Sequence, residues 1–305
     1  MNELIAISSM ENAELAEFVD GIAAHVGLPV RLTRWSTAEL VERLRSDTAG
    51  LWDLLLGTAA TALLDPALAS LLMPLDNLDV SALPSSAVAQ DRRWFSPSGF
   101  VPAFCYDPHV LAEQGLAPPT TWEALCAAHW SGRLALPDPA RSGAGYLHLS
   151  ALLEHYGDGA WEMLDTIARL QPSISGSSTA PIEAVLASQA WLGVTVSTAA
   201  TRAAQEHPSL RWCVPDDARC YEYEVFGCRA GSAKAVQAQQ ALGWMLTPAA
   251  AAISRRFGKV VLGGVSGGEL KVSDLQALDA QKASQAKIAR CAQWHSLFAE
   301  RVLDE

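Results

Sequence analysis

The sequence has no Cys-x-x-Cys pair and no cluster of Cys with His, which excludes a zinc site of the usual spacing. It also has no P-loop and no Gly-x-Gly-x-x-Gly turn after a strand, so nucleotide-driven chemistry has no support. The seven histidines, at 25, 109, 129, 148, 155, 207 and 295, sit in helix or loop contexts and nominate no general base, so the chain reads as a non-enzyme. Basic residues are in the minority. With 22 Lys and Arg against 33 Asp and Glu the net charge is −11, which argues against nucleic acid or an anionic membrane as the main partner. Long apolar runs are missing too: the stretch from Ala59 to Met73 is broken by Thr, Asp and Pro, too polar for a membrane span. Met1-Asn2-Glu3 is no basic leader and Leu4 to Ile7 is too short for the apolar core of a signal peptide. A cytosolic chain and a mature chain that has lost its leader are both compatible with that start.

What the sequence does have is half of its 305 residues hydrophobic, more than one core usually holds, so two lobes are expected. Strand and helix patterns alternate, the mark of an α/β fold. The first 65 residues read as strand 4–7, helix 11–26, strand 29–33, helix 37–46, strand 52–56 and helix 59–64, with Gly27-Leu28-Pro29 closing the first helix. Thr121 is placed to cap a helix over 122–128. Two long extended runs, Phe100 to Tyr106 and Tyr221 to Cys228, enclose a self-contained α/β segment, as when one lobe is inserted into another. They are the expected hinge, giving lobe 1 as 1–101 with 223–305 and lobe 2 as 102–222. A Gly-rich break from Gly263 to Gly268 precedes a charged helix over about 273–303, expected to pack on the first lobe. Cys213, Cys220 and Cys228 are close enough in sequence for one disulfide in an oxidising compartment, or else are small buried hydrophobes.

Four short loops stand out because each follows an extended stretch and opens a helix. They are Ser8-Ser9-Met10, Gly57-Thr58-Ala59, Asp138 to Tyr146 with Ser142-Gly143-Ala144, and Ser175-Gly176-Ser177-Ser178. The start of a helix leaves its first N–H groups unpaired at the positive end of the macrodipole, which suits an anion. Any one of them could be an ordinary N-cap. Four together suggest a shared pocket at the carboxyl ends of parallel strands.

The segment Pro119-Thr120-Thr121-Trp122-Glu123-Ala124-Leu125, then Trp130 to Pro139, then Ser142-Gly143-Ala144-Gly145-Tyr146, resembles the extracellular solute-binding proteins of bacterial ABC importers. The similarity is to the branch with ferric-iron, 2-aminoethylphosphonate and sugar-phosphate binders. It extends through Pro181, Gly243 to Pro248 and Phe257-Gly258, covering roughly residues 4–265. The resemblance implies a two-lobed periplasmic-binding-protein fold of class II, with the ligand in a cleft between lobes joined by two hinge strands. It implies a monomer in the periplasm, with no cofactor, that passes a small anionic solute to a membrane permease or, alternatively, reports it to a sensor kinase.

Carried over residue by residue, Ser142, Gly143 and Ala144 match the family's anion-binding Ser-Gly-Thr, without the Thr hydroxyl. Ser175, Ser177 and Ser178 match a second loop of the same lobe; Ser8, Ser9 and Thr58 match loops of the other. Tyr221-Glu222 matches an aromatic-Glu pair that contacts the organic part of a ligand, the other reading being a solvent-facing strand. Asp53 and Thr198 are further candidates for that organic end. Arg141 and Arg202 are the basic residues nearest the loops, either phosphate partners or solvated helix ends. His148 lies on the helix opened by Ser142, facing the pocket or simply satisfied within the helix. Iron-binding members carry adjacent tyrosines where this chain has Ser197-Thr198-Ala199-Ala200, which argues against ferric ion and for an organic phosphate or phosphonate.

Overall fold

The computed structural model describes residues 3–64, 66–263 and 270–299. Gly264 to Gly268 of the expected Gly-rich break, and residues 300–303 of the expected last helix, lie outside the described residues. The chain divides into two units, Met1–Phe100 with Glu222–Asp274 and Val101–Tyr221 with Leu275–Glu305. It passes between them at 100/101 and 221/222, within the two runs read as hinge strands, and a third time at 274/275. Along the chain the strands are β1 (Leu4–Ser8), β2 (Val30–Arg34), β3 (Leu54–Ala59), β4 (Ser98–Phe100), β5 (Pro102–Tyr106) and β6 (Leu134–Pro137). They continue as β7 (Ser173–Ser175), β8 (Leu192–Val196), β9 (Arg211–Cys213), β10 (Cys220–Cys228), β11 (Val260–Val261) and β12 (Gln276–Ala277).

In the first unit the strand order is β11-β4-β10-β3-β1-β2. β2, β1 and β3 are parallel neighbours, and β10 runs antiparallel to β3 and β4. Every residue of β3 is buried, as expected of a central strand covered on both faces. The helix Asn12–Val26 puts Leu15, Phe18 and Ile22 on one stripe into this core, where Phe18 meets Trp244 edge-on at 6.0 Å. Its last turn closes on Gly27, whose φ of +67° is the left-handed geometry that glycine tolerates at a helix end.

In the second unit the order is β7-β6-β8-β5-β9. β7, β6 and β8 are parallel and side by side, so their carboxyl ends share one edge; β5 is antiparallel to β8 and β9. The helix Gly143–Tyr156 is buried from Ala144 to Leu152, packed on the sheet and on the helices Gly159–Arg169 and Ala280–Phe298. That last helix corrects the sequence reading: it belongs to the second unit, not to lobe 1, and the Tyr146 hydroxyl donates to the Ala283 carbonyl.

Two further expectations need correction. The single strand over 100–106 is broken at Val101, whose N–H and carbonyl are both taken by Ser197, at 3.3 and 3.0 Å; β4 then pairs in the first unit and β5 in the second. The helix over 122–128 is instead two 3-10 turns, Glu123–Cys126 and Ala128–Trp130. Asp217 Oδ2 accepts the N–H groups of Trp122 and Glu123 at 2.7 and 3.2 Å, and the Trp130 indole takes the Ala124 carbonyl at 2.9 Å, so tertiary partners replace helical ones. The cysteines form no disulfide, so of the two readings of Cys213, Cys220 and Cys228 the one without a bridge holds. No helix among the described residues is long and apolar enough to cross a membrane.

Candidate functional site

In the second unit the shared edge of β7, β6 and β8 gathers three of the sequence-predicted groups. After β6 comes Asp138 to Ser142, then the helix Gly143–Tyr156, whose first intrahelical bond runs from the Tyr146 N–H to the Ser142 carbonyl at 3.1 Å. The N–H groups of Gly143, Ala144 and Gly145 precede that bond and face out of the helix start. Ser142 sits at the N-cap position with extended backbone, yet its hydroxyl receives no N–H from its own helix, so it is not spent on capping. Gly145 is required by close approach: a Cβ there would lie 2.5 Å from the Pro137 carbonyl oxygen and 2.9 Å from Asp138 C and Pro139 N. The helix start is therefore pressed against the end of β6.

After β8 the helix Ser197–Glu206 begins in the same way. Ser197 is fully buried and its hydroxyl accepts the Val101 N–H, which leaves Thr198 and the first-turn N–H groups as the outward part of this end. After β7, Ser177 accepts the Ala180 N–H at 3.1 Å and lies 3.3 Å from the Thr179 hydroxyl, so it caps the short helix Ala180–Leu186. The Ser175 hydroxyl donates to the Ser177 carbonyl at 3.4 Å.

Buried polar contacts lock these three loops in register. The Asp138 N–H donates to the Ser175 carbonyl at 2.7 Å, and the Thr195 hydroxyl donates to the Ser178 carbonyl at 2.6 Å. The His148 Nε2–H donates to the Thr195 carbonyl at 2.7 Å, tying the helix opened by Ser142 to the strand that leads to Ser197. His148 is thus a buried core group, stacked 6.2 Å from Phe104, and burial pushes its pKa down to about 4 against the pull of that carbonyl. Arg141 is exposed, with its guanidinium resting on Gly176: a Cβ at Gly176 would fall 2.6 Å from Arg141 Cζ. Arg141 therefore joins the loops after β6 and β7, whereas Arg202 lies in the second turn of its helix with Nε buried and unpartnered.

In the first unit, Ser9 and Thr58 are brought together at 2.9 Å across the ends of β1 and β3, and the Thr37 hydroxyl donates to Ser9 at 3.2 Å. Thr37 was missed, although Trp35-Ser36-Thr37 repeats the strand, hydroxyl and helix pattern of the other loops. Ser8 is fully buried and its hydroxyl is committed inward, donating to the Leu56 carbonyl at 2.5 Å and accepting the Met10 N–H at 3.0 Å. Ser8 therefore ties the ends of β1 and β3 together. Asp53 precedes β3 and accepts Ile5 N–H and Ser232 hydroxyl at 2.9 and 2.7 Å, at the opposite end of the strand from Thr58.

Tyr221 and Glu222 are buried, not solvent-facing, and Tyr221 belongs to the second unit while Glu222 belongs to the first. Glu222 Oε1 accepts both the N–H and the hydroxyl of Thr61, at 2.9 and 2.5 Å, a partner 161 residues away that no local pattern announces. No group of three or more potential His, Cys, Asp and Glu ligands is found among the described residues.

The sequence profile described as "Bacterial extracellular solute-binding protein" matches residues 17–255. No curated protein sequence matches the chain. Among solved structures, the substrate-binding protein of an ABC transporter from Agrobacterium tumefaciens has 16% identity and a TM-score of 0.84, covering 97% of this chain and 94% of that one. AfuA from Actinobacillus pleuropneumoniae, a periplasmic binding protein with fructose-6-phosphate bound, gives 13%, 0.83, 97% and 98%. Iron-bound HitA from Pseudomonas aeruginosa gives 17%, 0.81, 97% and 99%. At these identities the likeness is one of fold.

Proposed function

We propose that this chain, which belongs to the bacterial extracellular solute-binding protein family, captures a small organic phosphate or phosphonate without a metal and delivers it to the membrane permease of an ABC importer. The observation that carries the reading is the edge of the second unit, where the unspent Ser142 hydroxyl and two helix starts stand at the ends of adjacent parallel strands. Free N–H groups at a helix start stabilise an anion without a formal positive charge, which fits a protein of net charge −11. Arg141 adds an exposed cation next to these loops, placed to meet a phosphoryl oxygen. In the first unit, Ser9 and Thr58, with Thr37, are proposed to offer hydroxyls to solute oxygens. Glu222, held by Thr61, and Tyr221 are proposed to shape the organic end. No step of chemistry is assigned, since binding and release are the function, and the working place is outside the cytoplasm.

Calorimetry against fructose 6-phosphate, glycerol 3-phosphate, 2-aminoethylphosphonate, inorganic phosphate and ferric citrate tests this. Saturable binding of a phosphorylated or phosphonate compound in the presence of a chelator is expected. Tight ferric binding with none to the phosphorus compounds refutes it. In support of the metal-free reading, the start of the helix after β8 offers the hydroxyl of Thr198, far weaker than a phenolate as a ferric ligand.

A further inference from the structure

The last helix, Ala280–Phe298, carries Ala283, Lys287, Cys291 and His295 at intervals of four residues, a spacing that keeps them on neighbouring parts of one face. That face meets the helix opened by Ser142 and the loop before it. The Ala283 carbonyl accepts the Tyr146 hydroxyl, and the Lys287 ammonium sits over the Tyr146 ring at 5.0 Å from its centroid. Two turns further on, His295 Nε2 lies 3.0 Å from Asp138 Oδ1. Between them Cys291 is buried, and burial followed by the nearby Asp138 charge pushes its thiol up to about 11, with Lys287 pulling the other way.

Asp138 is the hub of the loop. Its N–H donates to the Ser175 carbonyl at 2.7 Å, and its own carbonyl accepts the N–H groups of Arg141 and Ser142 at 3.2 and 2.8 Å. Its Oδ1 accepts the Ala140 N–H at 2.8 Å, an Asx turn that bends the chain towards the helix start. A Cβ at Gly145 would fall 2.9 Å from the Asp138 carbonyl carbon, so the residue is pressed against the first turn. The main-chain partners all belong to the two loops after β6 and β7. The His295 side chain reaches the same carboxylate from 157 residues away.

A carboxylate only accepts, so His295 Nε2 carries the proton and donates. The Asp138 side chain is 12% exposed and that of His295 46%. A carboxylate shielded from water relies on donors to offset its charge, and this one stands beside a helix start read as the place of an anion, where uncompensated negative charge repels. We propose that His295 is a positioning residue for the anion loop: by donating to Asp138 it holds the turn that sets Arg141 and Ser142, and it offsets the negative charge next to the solute. The part played in binding rests on the reading of this loop as the anion site; the ordering of the loop does not.

The test uses the full chain with three substitutions. His295→Ala removes the donor, His295→Gln keeps an N–H at about the reach of Nε2, and Ile288→Ala changes an exposed position of the same helix. Without solute, amide hydrogen exchange read by NMR is expected to be faster at Ala140 and Ser142 in His295→Ala, and to stay at the parent rate in the other two. With fructose 6-phosphate as the probe, His295→Ala is expected to bind about 3- to 10-fold more weakly, the loss of one hydrogen bond, and His295→Gln to bind like the parent. Unchanged exchange at Ala140 and Ser142 in His295→Ala overturns the proposal, as does faster exchange that His295→Gln fails to restore. Parent-like affinity of His295→Ala, in a parent that binds the probe, overturns the part played in binding. Faster exchange together with a parent that binds no phosphorus compound refutes the solute reading and supports the ordering of the loop by His295.

Discussion

Replacing Gly145 by alanine isolates the packing that seats the anion loop on its sheet. In a helix interior Ala is favoured over Gly by about 1 kcal/mol, so propensity alone predicts a gain. The geometry predicts the reverse. The new Cβ would stand 2.5 Å from the Pro137 carbonyl oxygen, where contact requires about 3.5 Å, and 2.9 Å from two more backbone atoms. These neighbours are main-chain atoms at the end of β6, not side chains that can swing away, so the helix start or the loop must shift by about 1 Å. Overpacking of this kind costs about 1–3 kcal/mol, which leaves a net loss of up to about 2 kcal/mol after the helix gain. The control is Gly159→Ala, since nothing lies within 4 Å of a Cβ at Gly159 and its φ is not in the left-handed region. Urea unfolding followed by tryptophan fluorescence is expected to show Gly145→Ala destabilised and Gly159→Ala unchanged or improved. The displaced loop is also expected to bind its solute more weakly. A Gly145→Ala variant as stable as the parent, with the same affinity, refutes the reasoning.

Ser142→Ala is expected to weaken binding of the best phosphorus ligand by about 1.5–3 kcal/mol in calorimetry, the range for hydrogen bonds to charged groups, with stability unchanged because its hydroxyl caps nothing. Thr195→Val strips the Ser178 carbonyl of its donor, and thermal unfolding is expected to show a loss of about 1–3 kcal/mol together with weaker binding, while Ser177→Ala loses only a cap worth about 1 kcal/mol. In the first unit, burial holds the Glu14 carboxyl above its usual 4.5, at about 8, against the pull of the Lys259 ammonium 2.6 Å away, with Glu224 pushing the same way as burial. A raised carboxyl pKa means that the native state keeps a proton the unfolded chain has lost, so this group's stabilisation declines as pH rises from about 4.5 to about 8, by up to about 1.4 kcal/mol per pH unit. Denaturation midpoints across that window are expected to lose this slope in Glu14→Gln; an identical slope in the variant contradicts the assignment.

The parts of the fold that were legible in the sequence are those set by neighbours in the chain. Gly27 ends the first helix, and the pattern of strand, small hydroxyl residue and helix picked out Ser9, Thr58, Ser142 and Ser177 at or beside strand ends. What failed depends on pairing at long range. Nothing local to Phe100–Tyr106 tells that Ser197 will take both backbone groups of Val101 and divide the strand. Asp53 and Thr58 flank the same strand, whose extended rise alone puts about 16 Å between them, but that Asp53 is taken by Ile5 N–H and Ser232 hydroxyl is set by partners distant in sequence. Ser8 and Ser9 are adjacent and look equivalent, yet alternation along the strand turns one into the core and leaves the other beside Thr58 and Thr37. The charged last helix gave no sign of which unit it joins, because Trp294 and Phe298 can bury themselves against any apolar face.

The central claim is that the helix starts and hydroxyls of the second unit hold a phosphorus-containing anion without a metal. Native mass spectrometry of freshly purified protein, kept in chelator and compared with Ser142→Ala, tests it most directly. The account predicts a retained small molecule whose fragments include phosphate or phosphonate, present on the parent and depleted on the variant. A metal ion as the sole retained species, or a retained solute without phosphorus that Ser142→Ala binds equally well, contradicts it.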